Sequence, residues 1–164
     1  MIVVADTSPL PYLVVIERER LLPALYGRVF IPPAVAEELD GESTPDVVRA
    51  WLARTPGWLE IRQPSRSLPP EVDLDRGERE AIALAEELGA GLLLVDEWDA
   101  RQEARRRHLS VVGTLRVLAD GASLGLTDLE ESFDRLRATN FRMSSELLES
   151  VLKEFHRGKP DSHT

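Results

Sequence analysis

Short apolar runs alternate with helix-forming segments along this chain, and the alternation restricts the possible folds more than any other feature of the sequence. Runs rich in Val, Ile and Leu predict buried strands. The predicted strands cover residues 2–5, 29–31, 59–62, 92–95 and 111–112, the third being an edge strand. Strands that alternate with helices predict an α/β fold, in which a mostly parallel sheet of four to five strands is flanked by helices in a three-layer, Rossmann-like arrangement.

Segments with apolar residues three and four positions apart predict the helices. They are a helix that begins at Ser8 and Pro9, followed by 34–39, 45–54, 75–87, 97–107, 115–122, 128–136 and 144–155. Ser8 is expected to be the N-cap of the first helix. We predict one domain over residues 1–157 and a disordered polar tail over residues 158–164.

Composition excludes several kinds of site. The 164 residues include no cysteine, which rules out disulfides, thiolate zinc sites and a cysteine nucleophile, and the three histidines are scattered. The first residues lack the features of a signal peptide, and no apolar stretch is long enough to cross a bilayer. We therefore expect a cytoplasmic protein with no membrane role. The net charge of −9 argues against non-specific coating of nucleic acid.

Two acidic residues directly follow predicted strands. Asp6 comes after the first strand and Asp96 after the fourth. Ligands of open parallel sheets bind beyond the carboxyl ends of the strands, so both positions are candidates for a site. Two further acids, Glu38 and Glu78, belong to helix faces or helix starts, and spacing alone leaves open whether the four converge. Thr114 is a weaker candidate, because a helix cap is the expected role for it.

The acids also have structural alternatives. Asp96 could cap the next helix, with Asp99 at the third helical position, and the segment from Asp75 to Glu78 resembles a capping box. Glu38 has an acidic neighbour, so at least one of that pair is expected to be a solvated surface charge. Asp6 is the hardest to explain structurally, because Ser8 is already available as a helix cap.

In combination, these segments resemble the PIN-domain family. The resemblance covers most of the chain and rests on VVADTSPL, PPAVAEEL, LDRGEREAIALAEE, LLLVDEWDAR and VVGTLRVL. It implies that Asp6, Glu38, Glu78 and Asp96 supply the family's four acids, with Asp99 as an accessory. One departure concerns the third motif, where many toxin members carry an Asp close to the Ile–Ala pair and this chain has Glu78 instead.

The resemblance implies a metal-dependent endoribonuclease, which could be the toxin of a type II toxin–antitoxin pair. A divalent ion can activate water and stabilise the leaving oxygen in phosphodiester hydrolysis. Mg²⁺ and Mn²⁺ prefer hard oxygen ligands, so carboxylates suit them better than histidines. On this interpretation the metal ligands are Asp6, Glu38, Glu78, Asp96 and Asp99.

A cluster of arginines follows the fourth strand. Arg101, Arg105 and Arg106 would contact RNA phosphates if their helix borders the acidic cleft. The alternative is a solvated helix balanced by its own acids, Glu97, Asp99 and Glu103.

Partners are implied by the resemblance alone: an RNA substrate, a small antitoxin protein and a second copy in a homodimer. The apolar stripe of the last helix is predicted mainly to pack on the core, with a subunit contact as the alternative. Three other functions stay open. They are a non-catalytic PIN-like interaction or regulatory protein, a phosphoryl-transfer enzyme with an aspartyl nucleophile, and a nucleotide-binding protein. The last two rank lower, because Ser8 replaces the usual second Asp and no Gly-rich loop follows the first strand.

Overall fold

Five parallel strands form one sheet in the computed structural model, which describes residues 1–142 and 145–157. The strands are β1 (Val3–Ala5), β2 (Val29–Ile31), β3 (Leu59–Ile61), β4 (Leu92–Leu94) and β5 (Val111–Val112). Their order in the sheet is β3-β2-β1-β4-β5. All neighbouring strands pair in parallel. The predicted α/β fold with a parallel sheet is confirmed, and so is the edge position of the third strand.

Helices connect the strands and follow the last one. Those in the described part of the chain are α1 (Leu10–Val15), α2 (Leu21–Tyr26), α3 (Pro33–Leu39), α4 (Asp46–Ala53), α5 (Arg76–Leu88), α6 (Trp98–Arg106), α7 (Thr114–Ser123), α8 (Leu129–Arg137) and α9 (Ser145–Arg157). All eight predicted helices are present. The predicted tail, residues 158–164, lies outside the described residues.

The strands are buried on both faces. Val3 and Ala5 pack into one apolar cluster with residues of α1 and α7, whereas Val4 packs into a second cluster with residues of α5 and α6. Helices therefore cover both sides of the sheet. This explains why the strands read as unbroken apolar runs rather than as alternating patterns.

The sequence interpretation missed α2. The helix is six residues long and contains Pro23, so it has little local signal, and Gly27 ends it with a φ of +76°. Its packing is tertiary: a Cβ on Gly121 of α7 would lie 2.8 Å from a methyl carbon of Leu21. Because α2 depends on a close contact between Leu21 and Gly121 of α7, its own residues do not predict it.

The last helix packs on the core with most of its apolar stripe. Leu148 is buried, and Val151, Leu152 and Phe155 are half-buried against the core, whereas Leu147 is exposed. The prediction of core packing is confirmed for these residues. In the described part of the chain, no helix combines the length and the apolar character needed to cross a membrane.

Candidate active site

Asp6 lies where β1 ends, in the middle of the sheet. Its backbone N–H donates to the carbonyl of Leu94 at 2.9 Å, so the ladder between β1 and β4 continues past the strand end. Asp96 follows β4 on the adjacent strand. The two acids that were expected on neighbouring strands therefore leave the same edge of the sheet side by side.

The carboxyl group of Asp6 is buried. The residue is 4% exposed, and its Oδ1 has no hydrogen-bond partner among the described residues. Burial raises the pKa of Asp6 well above its usual value, and repulsion from Glu78, Asp75 and Glu38 raises it further, while the backbone N–H of Thr7 opposes the shift. Asp6 is thus held where its negative charge is disfavoured unless a cation compensates it.

A glycine leaves room in front of this carboxylate. A Cβ on Gly77 would lie 3.5 Å from Asp6 Oδ1, 3.5 Å from Thr7 Oγ1 and 3.0 Å from Glu38 Oε2. The hydroxyl of Thr7 donates to Glu38 Oε2 at 2.6 Å. Three side-chain oxygens, two from the residues that follow β1 and one from α3, therefore surround one space, which any other residue at position 77 would fill.

Contacts between α3 and α5 hold Glu38 beside Gly77. The backbone N–H of Ala34, in the first turn of α3, donates to Glu80 Oε2 at 3.0 Å. Arg76, at the start of α5, pairs with Glu37 at 2.7 Å. Pro32, the N-cap of α3, has no side chain that could accept a hydrogen bond from the first turn of the helix. Glu80 of α5 supplies that acceptor instead.

Glu78 has both a structural contact and a perturbed charge. Its backbone N–H donates to Asp75 Oδ1 at 2.8 Å, and its Oε1 accepts from the backbone N–H of Asp75 at 3.2 Å. The capping box that the sequence suggested is confirmed. Burial, then a hydrogen bond and repulsion with Asp75, raises the pKa of Glu78 to about 7. The capping role does not exclude a place in the site, since Glu78 contributes to the field at Asp6.

Asp96 lies in a network of hydrogen bonds. Its Oδ2 accepts from the hydroxyls of Ser8 and Thr114, at 2.5 and 2.6 Å, and its Oδ1 accepts from the backbone N–H of Thr114 at 2.7 Å. Two expectations are corrected. The first helix has Pro9 as its N-cap, and the cap residue of α7 is Gly113, so Ser8 and Thr114 serve Asp96 instead.

The other residues expected at the site lie on α6. Asp99 is exposed in the first turn of that helix, whose N-cap is Glu97 rather than Asp96. Arg101 is half-buried, and its Nη1 lies 3.0 Å from where a Cβ on Gly113 would be. Burial lowers the pKa of Arg101, as does Arg105, whereas Asp96 raises it.

Arg105 and Arg106 have different surroundings from Arg101. Arg105 is exposed, and Arg106 forms an ion pair with Glu103 at 3.2 Å. Arg107 also contacts Glu103 and reaches Glu86, each at 2.9 Å. The alternative of a solvated helix balanced by its own acids therefore applies to the second half of α6. Arg101, in the first half, faces the site.

A cavity of about 910 Å³ lies beside Asp96. Its lining comes from α1, α6, α7, α9 and the segment after α8, and includes Ser8, Tyr12, Trp98, Arg101 and Phe141. The acids around Gly77 do not line it. Asp96 thus separates two regions, a small space bounded by carboxylates and a larger cavity bounded by aromatic rings and arginines.

The space at Gly77 fits a hard divalent cation by its chemistry. In the described ranges, 1–142 and 145–157, no three Asp, Glu or His side chains form a group that would hold an ion on their own. The oxygens that face the space are those of Asp6, Glu38 and Thr7. Mg²⁺ keeps several waters and is commonly bound through one or two carboxylates, so this donor set suits it.

Several site residues escaped the sequence interpretation. Gly77 carried a signal, since a glycine in the first turn of a helix is unfavourable and indicates a close approach. Asp75 was recognised only as a cap. Tyr12 and Trp98 gave no signal, because an aromatic residue on a helix is usually a core residue, and their position beside Asp96 depends on the tertiary fold.

Comparisons with known proteins concern the family and the fold. The model of the family described as DUF3368, a PIN domain, matches residues 2–157. The chain is also similar to the solved structure of a PilT N-terminus domain protein from the hyperthermophilic archaeon Sulfolobus solfataricus P2. The identity is 24% and the TM-score 0.56, over 73% of this chain and 92% of that one, a likeness that shows the fold alone. No curated protein matches the chain.

Proposed function

Since the chain belongs to the PIN-domain family, we propose that it is a metal-dependent endoribonuclease that hydrolyses phosphodiester bonds of RNA. The observation that carries the proposal is the Oδ1 of Asp6, which is buried, has no partner among the described residues and faces the space at Gly77. A structural aspartate would have this oxygen hydrogen-bonded, because an unsatisfied buried acceptor is costly. A buried carboxylate oxygen without a hydrogen-bond partner is suited to bind a metal ion.

The proposed ligands of Mg²⁺ or Mn²⁺ are Asp6 and Glu38, whose oxygens face the same space. Such an ion would lower the pKa of water and compensate the charge on phosphate. Thr7 orients Glu38 by its hydrogen bond. Glu78 is proposed to accept a proton, since its pKa is raised to about 7.

The two remaining acids have different parts in the proposal. Asp96 binds the turn after β1 through Ser8 and the start of α7 through Thr114. These contacts are proposed to hold Asp6 in a fixed position beside the cavity. Asp99, expected as an accessory ligand, is exposed on α6 and contributes negative charge at the rim.

RNA phosphates are proposed to contact Arg101 first. Arg101 lines the cavity beside Asp96, and Arg105 lies close enough to lower its pKa. Arg106 is engaged with Glu103 and takes a smaller part. Binding thus uses a local cationic patch, which reconciles the substrate with the acidic net charge.

A cytoplasmic location, a homodimer and a small antitoxin partner are proposed from the family resemblance. The toxin role has a direct test in growth. Induced expression of the wild-type chain should stop growth, and expression of Asp6→Asn should not. Light scattering of the purified protein measures the oligomeric state.

The main test is cleavage of single-stranded RNA with and without divalent metal. We expect cleavage with Mg²⁺ or Mn²⁺, none in EDTA, and recovery when metal is restored. The readout independent of activity is Mn²⁺ binding by calorimetry, which should be lost in Asp6→Asn and kept in Asp134→Asn, a control on the exposed face of α8. Cleavage that continues undiminished in chelator would overturn the mechanism. Absence of both cleavage and metal binding would favour a non-catalytic PIN-like protein.

A further inference from the structure

The cavity beside Asp96 has the size of a ligand site. Its volume of about 910 Å³ lies within the range of small-molecule pockets, about 300–1,000 Å³. It adjoins the acidic site, because Asp96 and Ser8 belong to its lining. A ligand in the cavity would therefore lie next to the phosphate that the acidic site is proposed to hydrolyse.

Aromatic rings form part of the lining. Tyr12 and Phe141 pack edge to face, with ring centroids 4.8 Å apart and an interplanar angle of 83°. A tyrosine hydroxyl is protonated at neutral pH, and burial raises the pKa of Tyr12 further, so its hydroxyl can donate a hydrogen bond. Flat rings and a hydroxyl donor suit an uncharged planar ligand with polar edges.

Trp98 is the most conspicuous of these side chains. It is the first residue of α6 and is 68% exposed, although it borders the cavity. Arg101 lies three residues later on the same helix face. A large aromatic side chain that is kept in water beside a cavity is available to stack on a ligand.

The charges decide which part of a nucleotide enters. Asp96, Glu97 and Glu154 line the cavity and would repel a phosphate. Of the arginines in the lining, Arg116 pairs with Asp120 at 2.8 Å, whereas Arg101 and Arg142 form no ion pair with any residue that the structure describes. An uncharged base is therefore favoured inside, and these two arginines are available for the phosphates on either side of it.

We propose that this cavity binds an unstacked nucleobase of single-stranded RNA, with Trp98 stacking on the base and Arg101 contacting an adjacent phosphate. The inference rests on the proposed ribonuclease function and specifies its substrate, since a base within a duplex cannot leave the stack without loss of pairing. Trp98 then determines which strand segment lies across the acidic site.

The test uses the wild-type protein in EDTA, so that RNA is not cut. Single-stranded oligouridylate and oligoadenylate should quench the emission of Trp98, whereas an oligonucleotide of abasic riboses and a duplex should not. Trp98→Phe should remove the quenching and keep most of the affinity, because a ring remains. Trp98→Ala should weaken binding about 10- to 100-fold, as the loss of base stacking does. Val47→Ala, at an exposed apolar residue of α4, is the control and should change nothing.

The outcomes separate this proposal from the ribonuclease function. With metal present, Trp98→Ala should raise KM more than it lowers kcat. If the protein cleaves RNA but Trp98→Ala leaves KM and emission unchanged, the base site is wrong and the nuclease function stands. If the protein binds single strands through Trp98 but cleaves none with any metal, the base site stands and the nuclease function is wrong. Equal quenching by abasic RNA, or no quenching by either single-stranded oligonucleotide, would overturn the base site.

Discussion

Two carboxylates that look alike in the sequence have opposite environments in the structure. Asp6 and Asp96 each follow an apolar strand, and the strands are neighbours. Around Asp96, both oxygens accept hydrogen bonds from Ser8 or Thr114. At Asp6, one oxygen is buried with no partner among the described residues, beside other acids.

The difference concerns which carboxylate still has an oxygen that could accept a ligand. Hydrogen bonds that satisfy a carboxylate stabilise the folded protein, and they also reduce its availability to a cation. A buried oxygen that stays unsatisfied costs stability, and this cost is tolerated where the oxygen has a functional use. On the proposed function, Asp6 is therefore a metal ligand and Asp96 supports the structure around it, and substitutions at the two positions should separate these contributions.

The largest effect is expected for Asp6→Asn. The change is nearly isosteric and removes one charge from a group of mutually repelling acids, so cleavage should fall by at least about 100-fold while the metal-free protein stays equally stable or becomes more stable. Mn²⁺ should then raise the melting temperature less than in the wild type, because protection by a ligand follows its affinity. Cleavage assays and thermal unfolding in EDTA and in Mn²⁺ measure the three quantities.

An active but destabilised Asp6→Asn would reverse the comparison. It would mean that Asp6 serves backbone donors, as a cap does, at about 0.5–2 kcal/mol. Asp134→Asn, on the exposed face of α8, is the control that shows the effect of removing an exposed carboxylate.

Asp96→Asn should behave in the opposite way. An amide nitrogen cannot accept from Ser8 or Thr114, so at least one donor loses its partner and the free energy of unfolding should fall by about 1–3 kcal/mol. Metal binding should be reduced less than in Asp6→Asn. Denaturant unfolding of both variants measures the difference in the free energy of unfolding, provided that the two have the same denaturant dependence. If Asp96→Asn were as stable as the wild type but lost all metal binding, Asp96 would be a direct ligand.

The sequence allowed the sheet and the acids to be predicted, but not this difference. The strand runs are local, and the position of an acid after a strand is visible in the letters. The partners of Asp96, by contrast, are Ser8 and Thr114, separated from it by 88 and 18 positions, and only the fold brings them together. Both were expected to cap helices, because a local pattern cannot show a competing distant acceptor.

The contacts between helices could not be predicted from the sequence either. The capping box of α5 was visible as DRGE, yet nothing local shows that Gly77 within it faces Glu38 of α3. The divided role of α6, with Arg101 at the cavity and Arg106 in an ion pair, also depends on where the helix lies against the sheet.

A smaller effect is expected for Gly77→Ala. The methyl group would lie 3.0 Å from Glu38 Oε2 and would occupy the space in front of Asp6, so Mn²⁺ affinity and cleavage should drop by roughly 10-fold. Stability should not drop in parallel, because alanine favours a helix over glycine. Gly57→Ala is the matched control, since a Cβ there meets nothing within 4 Å. Unchanged metal affinity in Gly77→Ala would place the ion elsewhere.

The smallest effect is a pH dependence of the metal-free protein that belongs to the Asp6 side of the comparison. Burial and Asp75 raise the pKa of Glu78 from its usual 4.5 to about 7. A carboxyl whose pKa is raised by folding contributes stability that is complete below the unfolded pKa and is lost as the pH rises through the folded value. Glu78 should therefore lower the stability of the wild type progressively between about pH 4.5 and 7. Glu78→Gln keeps the capping box and cannot ionise, so it should gain on the wild type over that interval, by a few degrees in melting temperature. Thermal unfolding of both proteins in EDTA from pH 5 to 8 gives the difference directly and cancels the titration of the groups that do not interact with Glu78. A difference that stays constant with pH would show that Glu78 is ionised throughout, and that the carboxylates around Asp6 repel one another less than their burial implies.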